Sequence, residues 1–167
     1  KQYDLRATAD GGSVLYADLV AINFQFSPRV IHLYHYADID LSGATTNQAR
    51  WEGEQIRVET LNDFCRFSAV IPYTRWQVAP HPQIIDRLTN AQADDLTDGD
   101  LPFVGDFTGA YQWTLQLQPF EFATVRVAYA LNTEQSLLRA DIDRNGCVDD
   151  ADLLQVLFDF GRAGSLL

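Results

Sequence analysis

A chain of 167 residues is long enough for one packed domain carrying a small appendage. Hydrophobic residues make up 47% of it and aromatic residues 12%, which excludes a disordered chain. A net charge of −11, from 23 acidic against 12 basic residues, repels phosphate backbones and so excludes a nucleic-acid binder, while it suits cations.

From the N-terminus the pattern is strand-like. Residues 3–8 form a first strand, stopped by Asp10, Gly11 and Gly12. Residues 14–26 form a long one whose second half alternates, with Ile22, Phe24 and Phe26 on one face and Asn23 and Gln25 on the other. Ser27, Pro28 and Arg29 then turn the chain into residues 30–36, which reads as a hairpin. His32 and His35 stand three apart on this strand and therefore on opposite faces, which argues against a shared zinc ion.

Residues 55–61 and 64–71 are further strands, with Trp51 and Trp76 near the ends of this block as candidate carbohydrate contacts. Pro72, Pro80 and Pro82 break the regularity and mark a loop. Residues 82–91 place Ile84, Ile85, Leu88 and Ala91 at one-face helical spacing, a short helix expected over an open end of a sheet. Asp94, Asp95, Asp98 and Asp100 fit no single calcium loop and read as a solvated turn. Residues 110–118 alternate cleanly, with Tyr111, Trp113, Leu115 and Leu117 inward and Gln112, Thr114, Gln116 and Gln118 outward. After Pro119, residues 121–131 alternate again. About seven strands, turn signals between them and one short helix predict a mainly β fold, an antiparallel β-sandwich over residues 1–131, followed by a polar linker at 132–139.

The last segment, residues 140–167, carries the best-defined chemistry. Counted from Asp141, oxygen-bearing side chains fall at positions 1, 3, 5, 9 and 12 of a twelve-residue loop: Asp141, Asp143, Asn145, Asp149 and Asp152. Gly146 takes position 6, where the chain turns sharply, and Cys147 takes position 7, where only its backbone carbonyl is needed. A calcium ion takes six or more oxygens at about 2.3–2.6 Å, and this spacing can supply them. Asp rather than Glu at position 12, running into Leu153, Leu154, Val156, Leu157, Phe158 and Phe160 and closed by Gly161, resembles the dockerin repeat. That resemblance covers residues 141–161 and implies a coil or strand entering the loop and one helix leaving it, with the apolar residues as the helix's buried face.

Residues 37–43 echo residues 140–146, but the count then puts Thr46 at position 9 and Ala49 at position 12, so the closing carboxylate is missing. The segment reads as a strand end with a polar turn, leaving Asp38 and Asp40 as a weak cation pair. Two cysteines allow one intramolecular pairing, Cys65 with Cys147, and an oxidising compartment favours the disulfide over two free thiols. Such a bridge would contribute about 3–5 kcal/mol in the loop-entropy picture.

A second, diffuse resemblance spans about 100 residues: His35 to Leu41, Ile84 to Leu88, and Ala110 to Trp113 with the strand after Pro119. It is similar to exported bacterial proteins of the PEP-CTERM-associated type and implies a surface or extracellular role without catalytic residues. No apolar run approaches the roughly 18–20 residues of a membrane-spanning helix, and the absence of Met and of a signal peptide is read as a mature, processed product.

No nucleophile elbow or phosphate loop is present, and Glu54, Glu59 and Glu121 form no distinguishable catalytic pair. The expectation is therefore a non-catalytic extracellular calcium-binding structural protein. It associates with itself in a surface layer or filament, and the calcium segment acts as a clasp. The alternative is a secreted module binding carbohydrate or a surface protein.

Overall fold

The computed structural model describes residues 1–92, 94–134 and 150–159. Among the described residues ten strands form two antiparallel sheets. The larger holds seven strands in the order β1 (Gln2–Ala7), β2 (Ser13–Ile22), β10 (Phe122–Leu131), β6 (Phe64–Ala69), β5 (Gln55–Glu59), β4 (Asn47–Glu52) and β8 (Phe103–Gly105). The smaller holds β3 (Arg29–Asp38), β9 (Phe107–Leu117) and β7 (Arg75–Pro80). This is the antiparallel β-sandwich expected from the alternation of apolar and polar residues.

The core lies between the sheets because each contributes its alternate residues to one dry layer. Val125 and Val127 of β10, Ile56 and Val58 of β5 and Phe67 of β6 meet Val78 of β7 and Phe107, Tyr111 and Trp113 of β9. Phe67 stands at its centre, stacked on Tyr129 at 5.1 Å and tilted against Tyr111 at 4.7 Å. The two buried polar tips are satisfied by backbone: Tyr111 Oη donates to the Phe67 carbonyl at 3.1 Å, and Trp113 Nε1 to the Ile71 carbonyl at 3.4 Å. Gly12 has a steric role, since a Cβ there would lie 2.4 Å from the Asn132 carbonyl oxygen, so the turn after β1 can close onto the end of β10 only without one.

A third layer covers the outer face of the small sheet. Helix α1 (Gln83–Thr89) places Ile84 against Ala79 and Ala110, with Leu96, Tyr34, Tyr36 and Leu88 completing this second core. The helix thus lies on a sheet face rather than over an open end.

Three local expectations are corrected. Residues 14–36 are no hairpin: β2 belongs to the large sheet and β3 to the small one, paired with β9. Regular pairing of β2 stops at Ile22, and beyond it Asn23 is buried while Phe24 and Phe26 are exposed. Asn23 wins the interior because its amide closes the loop, donating to the carbonyls of Ser27, Leu117 and Gln118 at 2.9–3.1 Å while its Oδ1 accepts from the Gln25 amide. The proline-bounded stretch contains strand β7, which tolerates Pro80 because β7 is an edge strand of the small sheet. Gln112 faces away from the sandwich core, as its alternation predicts, yet it is fully buried because the third layer covers it, with Oε1 accepting from the Leu96 amide at 2.8 Å and Nε2 donating to Asp95 at 2.5 Å.

Candidate functional site

The C-terminal helix α2 runs from Asp150 to Asp159, where the expected calcium loop would release its helix. Of the expected ligands only Asp152 is described; it sits in the first turn of α2 and is buried. Asp141, Asp143, Asn145, Cys147 and Asp149 lie outside the described residues, as do Phe160 and Gly161. A carboxylate in a helix's first turn is favoured by the positive end of the helix dipole. The apolar face of this helix departs from expectation: Leu153, Leu154, Val156, Leu157 and Phe158 are all exposed.

A second acidic site was only half legible in the sequence. Asp38 ends β3, Asp40 precedes the short 3₁₀ turn Leu41–Gly43, and Asp106 separates β8 from β9. Each offers a carboxylate oxygen within 4.8 Å of the others. The backbone sets this meeting: β3 runs alongside β9, and the Ile39 amide donates to the Phe107 carbonyl at 3.4 Å. Residue separation hid Asp106, because only the β3–β9 register brings it to Asp38. Burial, then the charges of Asp40 and Asp106, push the Asp38 carboxyl above its ordinary value, partly offset by His81. Three carboxylates fall short of the six to eight oxygens of a calcium shell, so water would supply the balance. Downstream the echo of the calcium loop ends in a strand instead of a helix, with Ala49 buried in β4.

The histidines separate as their spacing predicts. His32 is exposed beside Asp95, while His35 is buried in the sandwich with Nε2 2.5 Å from Tyr129 Oη. Burial, and secondarily the charge of Lys1, pushes His35 down to about 4, and its Nδ1 has no hydrogen-bond partner. Of the three glutamates, Glu59 is held by Arg57 and Arg50 and Glu121 accepts from the Gln118 amide at 2.6 Å, while Glu54 is exposed.

Trp51 and Trp76 are half-buried and join the two sheets in an edge-to-face contact at 4.6 Å. Trp51 also lines an open groove of about 550 Å³ with Glu54, Pro72 and Tyr73. Cys65 is a buried free thiol, pushed up to about 12 by its burial, and Cys147, its expected disulfide partner, lies outside the described residues. No helix among the described residues is long and apolar enough to cross a membrane.

No protein-family model matches the chain, and no curated protein does. Among solved structures the chain is similar to a bacterial glucoamylase in complex with acarbose, at 11% identity and a TM-score of 0.42 over 95% of this chain. The chain spans 27% of that protein's length.

Proposed function

We propose that this chain is a non-catalytic, calcium-binding structural module of an extracellular assembly, and that its C-terminal calcium segment clasps a neighbouring copy. The observation that carries the reading is helix α2, with five large apolar side chains exposed next to a buried Asp152. A ten-residue helix is marginal in water unless an apolar face is packed. Calcium held by Asp141, Asp143, Asn145, the Cys147 carbonyl, Asp149 and Asp152 would fix the first turn of that helix and leave its apolar side for a partner. Such single loops outside cells bind calcium at about 10⁻⁴–10⁻³ M, so extracellular calcium would keep the clasp set.

Size-exclusion chromatography and electron microscopy with millimolar calcium, and again with chelator, test this. Larger assemblies in calcium that shrink on chelation are expected. A monodisperse monomer in both buffers would sink the reading.

A secreted carbohydrate-binding module is the second reading, favoured by the groove at Trp51, Glu54 and Tyr73, because aromatic rings beside a carboxylate suit a sugar's apolar face and hydroxyls. Saturable glycan binding lost in Trp51→Ala, by a chain that stays monomeric, would promote it over the clasp.

A further inference from the structure

The far end of the β2–β10 pair is a two-stranded ribbon projecting past its neighbours. Pairing of β1 to β2 stops at Asp18, and pairing of β6 to β10 begins at Val127, so the stretch where Ile22 faces Phe122 has no flanking ladder among the described residues. At this tip Phe24 is 71% exposed, Phe26 88%, Phe120 58% and Phe122 52%, with Ile22 and Val20 also open to solvent. Phe26 and Phe120 already pack edge to face at 5.1 Å.

The exposure is built in. Asn23 holds the loop through three backbone carbonyls, the Asn23 amide donates to Glu121 and the Phe120 amide donates to Asn23, and Phe120 sits at φ 61°, a conformation unfavourable to a bulky residue. Phenylalanines that could have collapsed are thereby held outward on a rigid tip.

At about 150–250 Å² per aromatic side chain, the exposed fractions of the four phenylalanines present roughly 400–670 Å² of apolar surface, as large as the largest and often functional patch of a typical monomer, and Ile22 and Val20 extend it. Two such tips face to face would bury up to about 1,300 Å², at the lower end of the range of specific, stable protein interfaces. Charge points to the same occupant. A chain of net charge −11 repels its own copies, yet residues 19–28 carry no charge, and the nearby Glu121 is already hydrogen-bonded to the Gln118 amide. Copies meet with least repulsion at this end.

We infer that the Phe24, Phe26, Phe120 and Phe122 tip is a self-complementary face on which two copies of the chain pair about a twofold axis. The inference rests on the self-association proposed above and adds a second contact, away from the calcium helix and independent of calcium. A closed twofold contact joined to a separate helix-mediated one generates an open chain of dimers, which a single twofold contact cannot.

Sedimentation of the full chain at micromolar concentration in chelator tests this. Expected is a dimer in the wild type and in Asp152→Ala. Phe26→Asp and Phe120→Asp should each raise the dimer dissociation constant at least about 30-fold with circular dichroism and melting temperature unchanged, since both side chains are already exposed. A dimer indifferent to both aspartates overturns the inference, as does a wild-type monomer that floats with phosphatidylcholine vesicles through the same phenylalanines. Association that needs calcium and fails in Asp152→Ala but survives Phe26→Asp overturns this contact while leaving the clasp standing. A monomer in every buffer removes both.

Discussion

His35 on β3 and Tyr129 on β10 meet across the sandwich, one from each sheet, with Nε2 and Oη 2.5 Å apart. The pair brings polar groups into a largely apolar layer, beside Phe67, and His35 Nδ1 has no hydrogen-bond partner. Protonation would put a charge there with no carboxylate partner, which is why burial lowers the imidazole to about 4. The unfolded chain therefore takes up the proton first, near pH 6.5, and stability falls as the pH drops from there towards 4. Over that window the single group removes about 3 kcal/mol. In chemical denaturation series, His35→Gln should flatten the difference between pH 7 and pH 4 by roughly this amount. Equal slopes for wild type and variant would refute the assignment.

Asn23 supports a second prediction. Its side chain satisfies the carbonyls of Ser27, Leu117 and Gln118, so Asn23→Ala leaves buried acceptors open. The expected cost is about 1–3 kcal/mol in unfolding free energy. Because the same bonds hold Phe24 and Phe26 outward, amide exchange should quicken across residues 23–28 before it does in β9. Unchanged protection of this loop would mean that the phenylalanines, not Asn23, hold it.

These two residues also mark where the sequence could be read and where it could not. Alternation identified β9 and β10 because both strands put branched or aromatic residues on the core side, Tyr111 and Trp113 in one, Val125 and Val127 in the other. The rule fails wherever a polar group is worth burying. Asn23 inverts the pattern because it completes hydrogen bonds that the backbone cannot make for itself, and Gln112, on the expected outer face, is buried beneath a covering layer for the same reason. Strand β7 was obscured by its flanking prolines, and Asp106 by the long separation from Asp38 that only sheet pairing closes. Of the calcium register the structure describes Asp152 alone, while the apolar side of α2 is solvent-exposed where the repeat pattern implied burial.

Gln112 is the post to which the strap over the outer sheet is tied. It lies across β9 with one amide end on the Leu96 backbone and the other on Asp95, and Leu96 is buried beneath the strap beside Ile84. Replacing it by Leu keeps the volume but strands the Leu96 amide, an expected loss of about 1–3 kcal/mol. Limited proteolysis should then cut within residues 94–100 while the sandwich strands stay protected. Cleavage at wild-type rates would show that Leu96 packing alone holds the strap.

Asp38, Asp40 and Asp106 make the last prediction, because their closeness has opposite consequences with and without a cation. In chelator the three carboxylates repel, and the raised Asp38 group means the folded state holds its proton to higher pH than the unfolded chain. Stability should fall as pH rises from the ordinary carboxylate value through the raised one, and remain lowered at neutral pH. Asp106→Asn removes one charge from the cluster. At neutral pH in chelator it should therefore melt slightly above wild type, by a few tenths of a kcal/mol, because solvent screens exposed charges. Millimolar calcium separates the cases: an ion bridging the triad would stabilise wild type more than Asp106→Asn by mass action. Asp152→Ala supplies the background for this comparison, since it removes the proposed closing ligand of the C-terminal loop and leaves the triad intact. A calcium-induced rise that persists in Asp152→Ala and vanishes in Asp106→Asn belongs to the triad. A rise lost in Asp152→Ala and kept in Asp106→Asn belongs to the loop, and the triad is then a repulsive turn that the β3–β9 register imposes on the fold.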